Sequence, residues 1–123
     1  MAYEYPYILT DSVTLSANST GTAELSMGET EEFEAHEIFF SSTGSFEVTS
    51  IIDSASLPYT NADSNNPLPS TLFTTSNEQK SDIGKFPIPL RIAPNNKIKV
   101  GLKDTSGSSN TVRVFLRGVR RVR

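Results

Sequence analysis

The chain lacks cysteine and tryptophan altogether. The first absence excludes disulfide scaffolds, thiolate metal sites and cysteine nucleophiles. Histidine occurs once, at His36, so a Ser-His-Asp relay would have to be built on that one imidazole. An enzyme is therefore not expected, and no cofactor. Long hydrophobic runs are missing as well: nothing approaches the roughly 18–20 apolar residues that cross a bilayer as a helix. Met1-Ala2-Tyr3-Glu4-Tyr5 has neither the basic nor the apolar region of a secretory signal. No membrane partner is expected.

Positive charge is absent from residues 1–79, which hold twelve carboxylates. All eleven Lys and Arg lie in residues 80–123, against only Asp82 and Asp104. The two parts sum to −12 and +9, giving the net −3. Such a split suggests a nucleic-acid tail or a polarised assembly surface. It also fits acidic and basic strands that neutralise each other within one sheet, each cross-strand pair contributing roughly 0.2–1 kcal/mol.

What is present favours strands. Ser and Thr number 30 in 123 residues, and Val, Ile, Phe and Tyr outnumber good helix formers in most windows. Val13, Leu15 and Ala17 alternate with polar residues, as do Ala23, Leu25 and Met27, with Asn18-Ser19-Thr20-Gly21 reading as a hairpin turn. Phe33, Ala35, Ile38, Phe39 and Phe40 form a longer strand whose register slips near Glu37, as at a bulge. Ser41-Ser42-Thr43-Gly44 then turns the chain into the strand 45–52 as a second hairpin. Periodicity fades from Asp53 to Lys85, a long loop with Pro58, Pro67, Pro69 and the apolar Leu72-Phe73. Phe86, Ile88, Leu90 and Ile92 alternate with Pro87, Pro89 and Arg91, and two prolines confine that strand to an edge. Ile98, Val100 and Leu102 face a basic row of lysines, and Val112, Val114 and Leu116 follow.

These segments predict an all-β chain: a single antiparallel β-sandwich of jelly-roll type with seven or eight strands, a long irregular loop and extended termini. Residues 1–10 read as an N-terminal arm, 11–118 as the sandwich domain (53–85 being its loop) and 119–123 as a basic C-terminal tail. The expected inward residues are Val13, Leu15, Leu25, Phe33, Phe39, Phe46, Val48, Ile52, Ile88, Leu90, Ile98, Val100, Leu102, Val112, Val114 and Leu116.

Chemistry-bearing clusters are sparse. Glu34 and His36, with Glu32 beside them, have the residue types of a metal site, but one imidazole without a second is a weak signal, and no metal site is expected. Asp104-Thr105-Ser106-Gly107 joins two strands and reads as an Asx-type turn. Arg117, Arg120, Arg121 and Arg123 have the charge to meet phosphates. Stacking aromatics are missing around them, and the pI of about 5.1 speaks against nucleic acid as a partner.

From Phe33 onward the order of pieces is distinctive. Glu34-Ala35-His36-Glu37-Ile38-Phe39-Phe40-Ser41-Ser42-Thr43-Gly44-Ser45-Phe46-Glu47-Val48 is followed by Ile51-Ile52-Asp53 and then Gly84-Lys85-Phe86-Pro87-Ile88-Pro89-Leu90. Ile92-Ala93-Pro94-Asn95-Asn96-Lys97-Ile98-Lys99-Val100, Asp104-Thr105-Ser106-Gly107 and 110–118 complete it. This arrangement resembles small accessory structural proteins of tailed bacteriophages over about two thirds of the chain. The resemblance implies a virion subunit, made in the host cytoplasm: a capsid decoration or cement protein, or a neck or tail component.

The expected partners are the major capsid protein or neck and tail subunits, with homo-oligomers in the particle. Partner contacts are expected from Tyr3, Tyr5 and Tyr7 and from Leu68, Leu72 and Phe73. An electrostatic interface is expected to set Glu29, Glu31, Glu32 and Glu34 against Arg117, Arg120, Arg121 and Arg123 on different edges of neighbouring subunits. The alternative is a carbohydrate-binding or host-attachment sandwich, for which Tyr59 and Phe73 are the candidate ring platform.

Overall fold

The computed structural model describes residues 3–63, 65–73 and 85–122. Eight strands run in order: β1 (Tyr3–Leu15), β2 (Thr20–Ser26), β3 (Glu31–Ser42), β4 (Phe46–Ile52), β5 (Leu68–Pro69), β6 (Lys85–Ile92), β7 (Lys97–Asp104) and β8 (Asn110–Val122). They build a β-sandwich of two antiparallel four-stranded sheets, β1-β8-β3-β6 and β2-β7-β4-β5. Among the described residues no helix is long and apolar enough to cross a membrane.

The period-2 pattern places one apolar row of each central strand between the sheets. Phe33, Ala35 and Ile38 of β3, Val48 and Ile51 of β4, Ile98, Val100 and Leu102 of β7, and Val112, Val114 and Leu116 of β8 are buried together. Leu15, Leu25, Phe46 and Ile92 join them. Val13 and Leu90 pack only partly against this core.

Three expected inward residues are displaced, each by a break in alternation. Phe39 is 42% exposed and Ile88 is 79% exposed, and Ile52 yields the buried position to Ile51. In β3 the register on β8 steps from Ala35 to Glu37, so His36 is the extra residue of a bulge, Ile38 turns inward and Phe39 outward. A second bulge between Val48 and Ser50 does the same for Ile51 and Ile52. Opposite the β3 bulge, β6 steps from Leu90 to Lys85, and Ile88 stands in that irregular stretch between two prolines. The bulge near Glu37 and the edge position of β6 agree with the sequence reading.

The hairpins do not. β1 and β2 lie in different sheets, as do β3 and β4. The turns 16–19 and 43–45 reverse the chain but hand it across the sandwich. Hydrogen-bonded partners come from far along the sequence instead: β1 with β8, β2 with β7, β3 with β6 and β4 with β5. Nor are the ends an arm and a tail. Residues 3–10 are the first part of β1, and 119–122 are the last part of β8, paired in register from Tyr3↔Val122 to Leu15↔Asn110.

The part of the long loop that is described packs back on the sandwich. Tyr59 N–H donates to the Ile51 carbonyl at 2.8 Å, β5 pairs with β4, and Ser70–Leu72 form one 3-10 turn. Its remaining residues, 64 and 74–84, lie outside the described residues.

Candidate functional site

The charged residues singled out from the sequence meet on one sheet rather than on separate edges. Strand register sets Glu4, Arg121 and Glu32 side by side across β1, β8 and β3. Arg121 donates to Glu4 at 2.8 Å and to Glu34 at 2.9 Å, and lies 4.0 Å from Glu32. Glu32 also pairs with Arg91 of β6. Arg117 approaches Glu37 at 3.7 Å, and His36 approaches Glu34 at 3.3 Å. The expectation that acidic stretch and basic end occupy different edges is therefore replaced by neutralisation inside one subunit. Hydrogen bonds donated to Glu4 and Glu34 hold the Arg121 guanidinium above its ordinary pKa. Glu29 stands in the β2–β3 turn, and Arg123 lies outside the described residues.

Arg120 belongs to the other face, because successive side chains alternate. It shares a row with Tyr5 and Phe33. Its guanidinium lies 4.7 Å over the Tyr7 ring and 5.6 Å over Tyr5 and pairs with Glu31. Tyr7 in turn meets Phe33 edge-on at 6.2 Å. Of the three tyrosines, Tyr7 is thus a margin of the core, Tyr5 is half-engaged, and Tyr3 is the exposed one. Leu68 and Phe73 are packed on the core, and Leu72 is exposed.

At one end of the sandwich Asp104, fully buried, ties three turns together. Its carboxylate accepts from Asn18 N–H at 2.9 Å, Ser106 N–H at 3.0 Å, the Ser106 hydroxyl at 2.6 Å, Gly107 N–H at 3.1 Å and Asn110 Nδ2 at 3.0 Å. Asn110 also donates to Ser45 O at 2.8 Å and accepts from Gly44 N–H at 3.1 Å. The Asx turn read from 104–107 is present, but it also clamps the β1–β2 and β3–β4 turns. That wider role left no mark in the sequence, since its partners are separated by up to 86 positions.

Two of the grooves on the described surface have apolar walls. One, of about 670 Å³, runs over Pro6, Ile8, His36, Glu37, Arg117 and Val119. The other, of about 650 Å³, lies between the 53–59 loop and β6, walled by Tyr59, Pro87, Ile88 and Pro89. Among the described residues no group of three or more His, Asp or Glu is arranged to hold a metal ion. The Glu34 carboxylate beside His36 is shared with Arg121. Exposed apolar side chains, Ile8, Phe39, Leu57 and Ile88 above all, are the features that sequence periodicity missed. The two prolines flanking Ile88 were the one available signal for the last of them.

No protein-family model matches the chain, and no curated protein matches it. Among solved structures it is similar to the core of Drosophila NLP, a structure described as giving insight into pentamer formation and histone binding. That similarity covers 91% of this chain and 97% of the other, at 14% identity and a TM-score of 0.30. A likeness of this size carries no argument.

Proposed function

We propose that this chain is a non-enzymatic structural subunit of a tailed-phage virion that binds neighbouring capsid, neck or tail subunits and stabilises the particle. The observation that carries the reading is the set of large exposed apolar side chains, Ile8, Phe39, Leu57 and Ile88, on a rigid sandwich. Scattered single apolar residues are ordinary, whereas Ile8 and Ile88 each line a groove, an arrangement that favours a protein-binding surface. The buried polar groups are engaged in holding turns together, as Asp104 and Asn110 are, and the charged rows in joining strands. We further read the fold as a jelly roll, because its long-range pairs, first strand with eighth, second with seventh, third with sixth and fourth with fifth, are those of a rolled-up double strand. Capsid subunits commonly use that architecture; this support is analogy of fold. The order of motifs from Phe33 onward supports the same reading.

The test is direct. Gradient-purified particles are digested and searched by mass spectrometry for peptides of this chain. We expect them in the particle at a fixed ratio to the major capsid protein. Recovery from the infected lysate alone, with none in particles, overturns the reading. The sugar-binding alternative draws no support from its candidate rings. Tyr59 is taken up edge-on by Phe86 at 4.9 Å and Phe73 by Phe40 at 4.6 Å, rather than forming one platform.

A further inference from the structure

The two outer faces of the sandwich differ in kind. An antiparallel sheet with one solvated face normally alternates apolar-in and polar-out. β2 and β7 obey that rule: away from the core they carry Thr20, Thr22, Glu24 and Ser26 beside Lys97, Lys99 and Lys103. The sheet β1-β8-β3-β6 breaks it. On its outer face Pro6 stands beside Val119, Ile8 beside Arg117, and Phe115 beside Phe39. Ile8 is 60% and Phe39 42% exposed.

Rings and groove occupy successive rows of this face. Phe115 and Phe39 form one row, and the next, Ile8, Arg117 and Glu37, lines the groove of about 670 Å³ beside His36 of the bulge. A two-fold axis lying in the face, across the strands and midway between these rows, sets the rings of each copy over the groove of the other. The face is thus complementary to itself, as an isologous contact requires. Charge agrees with the same axis. At the end beyond the groove, three carboxylates, Glu4, Glu32 and Glu34, share two guanidiniums, Arg121 and Arg91. Past the rings stands the exposed Arg113, whose cross-strand neighbours are Ser12 and Ser41 rather than carboxylates. The axis brings the carboxylate-rich end of one copy to the Arg113 end of the other, which fixes orientation more than affinity. Size agrees too. Strand spacing and rise give the four strands a face of about 750 Å², near the roughly 800 Å² that each partner contributes to a standard interface.

We propose that the outer face of β1-β8-β3 packs on the same face of a second copy of this chain, as a two-fold dimer. Phe39 and Phe115 of each copy cover the groove of Ile8, His36 and Arg117 on the other. The contact is closed, so association stops at two. This deepens the proposed assembly role, and rests on its claim that the exposed apolar side chains bind protein.

Light scattering on the purified full chain, over a range of concentrations, tests it. The wild type is expected to reach the mass of two subunits and no more. Phe39→Asp is expected to leave a monomer with an unchanged far-UV CD spectrum. Ile8→Asp, at a more exposed position, does the same should Phe39→Asp fold poorly. Thr20→Asp, on the polar face of the other sheet, is expected to stay dimeric. Arg113→Glu keeps the apolar middle and is expected to raise the dimer dissociation constant about fivefold at low salt, and less at high salt. A wild type that is monomeric or grows beyond two overturns the proposal. So do a folded Ile8→Asp that still dimerises, a monomeric Thr20→Asp, or an Arg113→Glu dimer of wild-type strength at low salt. A monomeric wild type that is nevertheless found in purified particles overturns self-docking alone and leaves the virion role standing. A dimer absent from particles does the reverse.

Discussion

Asp104 has no exposure to solvent, yet it keeps its charge because five donors converge on its two oxygens. Those hydrogen bonds, the Ser106 hydroxyl first and the Asn18 N–H next, hold the carboxyl well below the usual carboxylate range. The sign of the pH effect follows. The folded value lies below the unfolded one of about 3.9, so the stabilisation is present above that pH and lost as pH falls toward the folded value. In urea titrations the stability gap between wild type and Asp104→Asn is expected to be flat above about pH 5 and to narrow between about pH 4 and 2. A gap independent of pH over that range would refute the assignment. Asn110, equally buried, has no charge to lose but fills the same junction. Asn110→Ala leaves the part-buried Gly44 N–H without its acceptor and takes one of two donors from the Ser45 carbonyl, which Thr105 N–H still reaches at 3.1 Å. At about 1–3 kcal/mol for an unsatisfied buried group, a loss of about 1–3 kcal/mol is expected from the urea midpoint.

Strands come next in scale, and here both bulges share a device. The β3 bulge faces Gly118 of β8, and the β4 bulge faces Gly101 of β7. A Cβ at Gly118 would overlap the Glu34 carbonyl oxygen; one at Gly101 would come within 2.5 Å of the Ser50 hydroxyl and 2.6 Å of that of Thr49. The first obstacle is backbone and cannot rotate away. Gly118→Ala is therefore expected to cost at least about 3 kcal/mol, the upper end of ordinary overpacking, and more than Gly101→Ala in the same denaturation series. His36 makes a complementary prediction. Ala35 and Ile38 face inward on either side of the two residues His36 and Glu37. Deleting His36 restores strict alternation, with Glu37 alone between them. The shortened protein is expected to retain a cooperative unfolding transition and its strand CD signal, whereas deleting Phe39 turns Phe40 away from the core and should not. The slip near Glu37 was legible because Ala35 and Ile38 are out of phase. Its consequence for Phe39 was not, since the chain beyond the bulge carries three apolar residues in a row and either phase reads as apolar.

On the scale of the molecule, alternation and turn residues mark strands and reversals but say nothing about which sheet receives each strand. Asn18 and Asn95 take positive φ in their turns, as turn chemistry predicts, yet both turns cross the sandwich. The same gap hid the charge pairing. An excess of acid before residue 80 and of base after it is what results when the first half of the chain pairs with the last, β1 and β3 with β8. Exposed ion pairs are individually weak, so most Arg→Ala changes on this sheet should move the urea midpoint little. Arg121→Ala should move it furthest, because it leaves Glu4, Glu32 and Glu34 clustered without their common cation.

The strongest consequence concerns the C-terminus. Residues 119–122 are held on both sides: by β1 from Tyr3 to Pro6, and by β3 from Glu31 to Glu34. Removing 119–123 strips a central strand of its end and leaves two others unpaired there. Arg120 leaves Tyr5 and Tyr7, and Arg121 leaves its carboxylates. Because β1 pairs with β8 from residue 3 to residue 122, this contact is also among the costliest to close during folding. A truncation ending at Gly118 is therefore expected to be destabilised by more than Arg120→Ala and Arg121→Ala together, since it loses ladder hydrogen bonds that the substitutions keep. Its urea transition, followed by far-UV CD, should shift to lower denaturant or vanish. An unchanged midpoint would mean that the end of β8 is a dispensable tail after all, and that the first residues of β1 do not depend on it.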